Sequence, residues 1–209
     1  MLDIILIIII LIILSIKPNK NIKYTKTKIQ DNLVDSFNTN DFLKEIENKN
    51  VIICGNSPQF TESFKKVEHL PNKFIIRFNE VLDHIKPSEQ TDVLFLSYGM
   101  LNKKDISNRI RKWNASKIYY IEDLYESNDV LNSYFRQDFN PMSGTILLTW
   151  LSNFKNNSKS INIVGFNLPN NHLVKSHWFS NEPVWYGHSV DLDKKIVNQI
   201  IKTNNFNIF

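Results

Sequence analysis

Residues 51–55 read VIICG, an apolar run without alternation that stops at glycine. A run this short and continuous, bounded by a turn residue, reads as a strand buried on both faces. The same signature recurs in KFIIRFN at residues 73–79, DVLFLS at 92–97, KIYYIED at 117–123 and SINIVGF at 160–166. Helical patterns lie between and around these runs. FLKEIENKN from residue 42 is a short amphipathic helix, SGTILLTWLSN spans 143–153, and residues 106–113 and 191–202 also read as helices. Short apolar strands alternating with helices predict an α/β fold with a mainly parallel, Rossmann-like central sheet covered by helices on both faces. In such sheets ligands lie beyond the carboxyl ends of the strands. The residues following Ile53, Ile76 and Val164 are therefore the ones to inspect for function.

The rest of the composition sets limits. The chain has 209 residues, 42% hydrophobic and 22% charged, which suits one domain or one domain with a tail. A disordered chain, a collagen-like repeat and a polytopic membrane protein are excluded. Lys and Arg exceed Asp and Glu by only 25 to 21, and part of that excess sits near the N-terminus, so no nucleic-acid partner is expected. Cys54 is the single cysteine, which rules out an intramolecular disulfide and any zinc site built on several thiolates.

Residues 4–16 are aliphatic apart from Ser15 and apolar on every face, unlike a helix packed on one side of a core. At about 1.5 Å per residue the run reaches about 20 Å, against about 30 Å for a bilayer core. No cationic segment precedes it and no small-residue cleavage site follows it, as a signal peptide would require. The reading is a single-pass membrane-anchor helix at residues 1–17, a polar Lys- and Asn-rich stalk at 18–40, and a folded domain at 41–209. The orientation stays open. Lys17, Lys20, Lys23, Lys26 and Lys28 follow the run and favour a cytosolic domain, whereas the sequons at Asn114 and Asn156 favour a lumenal one.

Several chemistry-bearing residues fall at the strand ends. Gly55-Asn56-Ser57 follows the first strand, offering a tight turn and short polar side chains that suit a phosphate. Arg77 and Asn79 end the second. Ser143 and Gly144 open a helix, where free amides and the dipole favour an anion, although Ser143 also reads as an ordinary N-cap. Gly165 and Phe166 close a later strand and offer a close backbone approach and an aromatic floor. His177 and His188 stand near the C-terminus among Trp178, Trp185 and Tyr186.

In this order the segments resemble the eukaryotic-type sialyltransferase family, which uses CMP-sialic acid. VIICGNSPQF with FIIRFNEV is similar to the family's long motif, and residues 140–166 to its short motif. His177-Trp178-Phe179 is similar to a small histidine–aromatic motif. His188 followed by Asp193 matches the spacing of the last motif, with Asp where the family usually has Glu. The family also joins its long and short motifs by a disulfide, whereas this chain has Cys54 alone.

The resemblance implies a GT-A-like variant of the fold and inverting transfer of sialic acid, or a related 2-keto sugar acid, from a CMP-sugar to a glycan hydroxyl. It implies His188 as general base and His177 as a donor to the departing phosphate. Asn56, Ser57, Asn79, Ser143, Gly144, Gly165 and Phe166 would bind the CMP-sugar; Glu182, Trp185 and Tyr186 are the acceptor guesses. It also suggests a Golgi- or ER-type membrane location and a glycoprotein or glycolipid acceptor. A CMP ester carries one phosphate charge, so no metal is expected. Asp191-Leu192-Asp193 reads as a helix start complementing the dipole. Two alternatives remain: a metal-dependent UDP- or GDP-sugar transferase using Asp191 and Asp193, and a membrane-anchored glycan-binding protein without turnover.

Overall fold

The computed structural model describes residues 33–57, 59–79, 90–102, 106–125, 141–154, 157–166 and 190–209. The anchor run at residues 4–16 lies outside them. No helix among the described residues is long and apolar enough to cross a membrane. In chain order the elements are α1 (Thr39–Ile46), β1 (Asn50–Cys54), α2 (Phe60–Lys65), β2 (Lys73–Phe78), β3 (Thr91–Leu96) and α3 (Ile106–Arg111). They continue with β4 (Ala115–Tyr120), α4 (Ser143–Leu151), β5 (Ser160–Val164), α5 (Val190–Asn204) and β6 (Asn207–Ile208). Short 3-10 turns, Tyr98–Asn102 and Ile121–Leu124, follow β3 and β4.

The six strands form one sheet in the order β4-β3-β2-β1-β5-β6, and every neighbouring pair is parallel. This bears out the expected α/β class and parallel sheet. The five strands read from apolar runs all form, each within two residues of its predicted start. The chain steps outward from β1 through β2, β3 and β4, then crosses back to place β5 on the other side of β1. The carboxyl ends of β1 and β5 therefore flank the point where the winding reverses, the usual position of a ligand crevice in open α/β sheets.

Side-chain alternation along the strands supplies three hydrophobic clusters on the two faces of the sheet. Val51, Ile53, Phe74, Ile76, Phe78, Val93 and Phe95 face α1, α4 and α5, where Phe42, Trp150, Val197 and Ile200 are buried. Ile52, Cys54, Ile75 and Val164 face α2 through Phe60 and Phe64. Leu94 and Leu96 pack with Ile110 and Trp113 of the α3 region. α4 is buried on nearly all sides, which explains its sequence: SGTILLTWL is apolar around the whole helix rather than on one stripe.

Part of the stretch read as stalk is packed onto the domain. Phe37 lies against Phe42, Tyr119 and Trp150, with ring centroids 5.6, 5.2 and 5.6 Å away. The Asp35 N–H donates to Ile118 O at 2.7 Å, and the Asp35 carboxylate accepts the Ile118 N–H at 2.8 Å. These bonds cover the outer edge of β4, which would otherwise present unpaired backbone groups. Lys117 and Glu45 form an ion pair that ties α1 to the same strand.

Candidate functional site

The reversal point is built from backbone first. β1 and β5 run in register to Cys54 opposite Val164. Beyond them the Gly55 N–H donates to Val164 O at 2.8 Å and the Ser57 N–H to Gly165 O at 3.0 Å. Gly165 leaves β5 with φ +68, a conformation suited to glycine.

Phe166 fills the space between three segments. A Cβ at Gly55 would lie 2.6 Å from Phe166 Cδ2, and one at Gly144 would lie 2.3 Å from Phe166 Cε1. The ring also meets Phe78 edge-on at 6.3 Å. Any side chain at Gly55 or Gly144 would displace this ring. The two glycines thus serve the packing of the crevice floor, and Ser143 is brought beside the ends of β1 and β5. Phe166 keeps partial exposure, so it is an aromatic surface as well as a wedge.

The polar residues expected here come together as follows. Asn56 is partly exposed; its Nδ2 donates to Phe78 O at 3.4 Å, bridging the ends of β1 and β2. The Ser57 hydroxyl is buried and has no hydrogen-bond partner. Asn79 adopts φ +57, a left-handed conformation that asparagine tolerates better than most residues. It is fixed from three directions. Its N–H donates to Phe95 O at 2.8 Å, its Oδ1 accepts the Ser97 N–H at 3.0 Å, and its carbonyl accepts Trp113 Nε1–H at 2.8 Å.

Ser143 occupies the first helical position of α4 rather than the N-cap. Met142 is the N-cap and supplies no side-chain hydrogen bond. The carboxylate that serves this helix start comes from α5 instead: Asp193 Oδ1 accepts the Met142 N–H at 3.0 Å. Asp191 and Asp193 do fall in the first turn of α5, as expected, but Asp193 is fully buried against α4. Burial pushes its carboxyl up to about 6, with Thr145 and the Met142 amide pulling it back.

Sequence reading missed Glu122 and the burial of Arg77. Glu122, read as part of a strand, lies just past β4, and its Oε1 accepts the Tyr98 N–H at 2.9 Å. Its other oxygen is buried without a partner, and burial chiefly pushes its carboxyl up to about 7. Asn79 and Glu122 thus hold the consecutive amides of Ser97 and Tyr98 at the end of β3. Arg77, read as lying at the end of its strand, is only 2% exposed. Neither position carries a local signal, since the partners lie far away in sequence.

His177, His188, Glu182, Trp185 and Tyr186 lie outside the described residues. Among the described residues no three His, Cys, Asp or Glu side chains cluster as a metal site. Comparison with protein-family models finds no match for this chain, and comparison with curated proteins finds none either.

Proposed function

We propose that the protein is a sialyltransferase-like glycosyltransferase, moving sialic acid or a related 2-keto sugar acid from a CMP-sugar to a glycan hydroxyl. The observation that carries the reading is the convergence at the β1/β5 reversal point. Gly55-Asn56-Ser57, Ser143-Gly144 and Gly165-Phe166, far apart in the chain, meet there through named contacts, and Asn56 reaches the end of β2 next to Asn79. These are the segments that carry the sialyltransferase resemblance.

In this reading the acceptor oxygen bonds to the anomeric carbon as that carbon's bond to the CMP phosphate oxygen breaks. His188 takes the acceptor proton, which suits an imidazole with an ordinary pKa of about 6.5. The leaving phosphate takes up negative charge. His177, Asn56 and Asn79, with the amides at the start of α4, stabilise it by pre-oriented hydrogen bonds. Glu182, Trp185 and Tyr186 are proposed for the acceptor side, and residues 4–16 for anchoring to an endomembrane.

The metal-dependent alternative needs Asp191 and Asp193 to hold a cation. Asp193 is buried and engaged with Met142, which argues against that role and favours metal-independent transfer. The test is a thermal-shift series on the full chain in mild detergent with CMP, UDP and GDP, each with Mn²⁺ or EDTA. A ligand at about 100 times its Kd adds about 2.7 kcal/mol of stability. At roughly 2–4 °C per kcal/mol, the expected rise is roughly 5–11 °C with CMP, unchanged by EDTA. A rise only with UDP or GDP plus Mn²⁺ would replace this reading with the metal-dependent one.

A further inference from the structure

The guanidinium of Arg77 is buried on the α2/α3 side of β2. Its Cζ lies 4.7 Å from the Trp113 ring, 5.1 Å from Phe60 and 5.8 Å from Phe64. Nε and Nη2 make no hydrogen bond, and no carboxylate among the described residues pairs with the group. Arginine stays charged at any working pH. Ring faces attract a cation but leave its net charge in place. A buried guanidinium with no carboxylate partner among the described residues is a costly feature, and an apolar side chain of similar volume commonly packs as well or better. The fold retains the charge nonetheless.

Its location suggests a use. Trp113, which stacks on the guanidinium, donates to the Asn79 carbonyl at 2.8 Å. Phe60, on another side, backs the end of β5: its Cβ would lie 3.1 Å from a Cβ at Gly165. The charge is felt at the Cys54 thiol, immediately before Gly55; burial pushes that thiol up to about 11 while Arg77 pulls it down. Asn56, Ser57, Asn79, Ser143, Gly144 and Phe166, which surround the reversal point, are all uncharged.

We propose that Arg77 is the built-in counter-charge for a phosphate ester bound at the reversal point, acting through the protein from beneath the crevice rather than by contact. The proposal rests on the CMP-sugar reading for the identity of the ester, but its electrostatic claim applies to any phosphate held there. Two unit charges about 10 Å apart at an effective dielectric of about 20 change affinity by roughly tenfold.

The experiment measures binding of CMP, cytidine and inorganic phosphate to the full chain in mild detergent, by calorimetry and thermal shift. Wild type is compared with Arg77→Met, Arg77→Gln and Arg77→Lys. The neutral variants should lose CMP affinity by roughly tenfold and phosphate affinity alike, with cytidine binding unchanged and Tm equal to or above that of wild type. Arg77→Lys should retain most CMP affinity. Arg77→Gln serves if Arg77→Met does not fold.

Equal weakening of CMP and cytidine would reduce Arg77 to a packing residue and overturn the proposal. So would unchanged CMP affinity in a folded neutral variant, or a wild type that binds neither CMP nor phosphate. A wild type that binds phosphate but gains nothing from the cytosine base would sink the CMP reading alone. The charge claim would then be decided by the phosphate arm.

Discussion

The carboxylate of Asp193, in the first turn of α5, accepts the backbone N–H of Met142 at 3.0 Å and so fixes the start of α4 beside the crevice. The bond spans 51 residues of chain. It replaces the side-chain cap that Met142 itself lacks, and α4 in turn holds Gly144 against Phe166.

The pH dependence of this bond has a definite sign. The Asp193 carboxyl lies at about 6 in the fold against an ordinary 3.8. Between those values the folded chain holds a proton that the unfolded chain has released, so stability falls as pH rises through this window. Asp193→Asn keeps an acceptor oxygen and removes the charge. It should flatten that part of the Tm-versus-pH profile and gain about 1–2 kcal/mol at pH 8. Asp193→Ala leaves the Met142 amide unsatisfied and should cost about 1–3 kcal/mol at pH 4, where the charge is absent. Chemical denaturation at pH 4 and 8 checks both.

Gly144 and Phe166 should be energetically coupled. Gly144→Ala drives a methyl group into the ring and should cost about 1–3 kcal/mol while weakening CMP binding. Phe166→Leu clears part of that space. The double variant should therefore be more stable than the sum of the single losses predicts, by about 0.5–3 kcal/mol. Strict additivity in denaturant titrations would contradict the packing described for the crevice floor.

Trp113→Phe separates the two roles of that side chain, because it keeps a ring over Arg77 and removes the donor to the Asn79 carbonyl. A loss of about 0.5–1.5 kcal/mol in stability is expected. If Asn79 contributes to donor binding, CMP affinity should fall as well, measured by calorimetry. Intact CMP affinity would show that the Trp113 bond is not needed to hold Asn79 for donor binding.

Asn162 links β1, β5 and β6. It is buried; its Nδ2 donates to Val51 O at 3.2 Å and to Ser160 Oγ at 2.7 Å, and its Oδ1 accepts Asn207 Nδ2 at 3.0 Å. Asn162→Leu should cost about 2–4 kcal/mol by orphaning several of these groups. Faster hydrogen exchange at the Phe209 amide, which bonds Ile163 O, would report the loosening of β6.

The legibility of this fold follows from where the information lies. β1, β2, β3 and β5 were readable because strands buried on both faces need unbroken apolar runs, and VIIC or INIV fits little else; β4, at the sheet edge and buried only at Tyr119 and Tyr120, was readable from its short KIYYI run. The α2 helix was not, because FTESFK is six residues long and buries Phe60, Ser63 and Phe64 against the sheet without completing a periodic stripe. β6 has only two residues and is held by Asn207 and by its place beside β5. Around the crevice, Asn56, Ser57, Ser143, Gly144, Gly165 and Phe166 were legible as strand- and helix-end residues. Ser143 stands at the helix start as read, but the alternative reading of it as an N-cap does not hold, because Met142 is the N-cap and the group that meets this helix start, Asp193, comes from α5. The burial of Arg77 was invisible because Phe60, Phe64 and Trp113 surround it only after folding.

The most direct test of the central claim is CMP release from CMP-sialic acid by the full chain in detergent, with a mixed glycan acceptor and EDTA present. Wild type should release CMP in an acceptor-dependent manner, and His188→Ala should lower the rate by about 10²- to 10⁴-fold while keeping its CMP affinity. Acceptor-dependent release that His188→Ala leaves unchanged would contradict the assigned base. No release by wild type across acceptors would contradict the transferase reading itself.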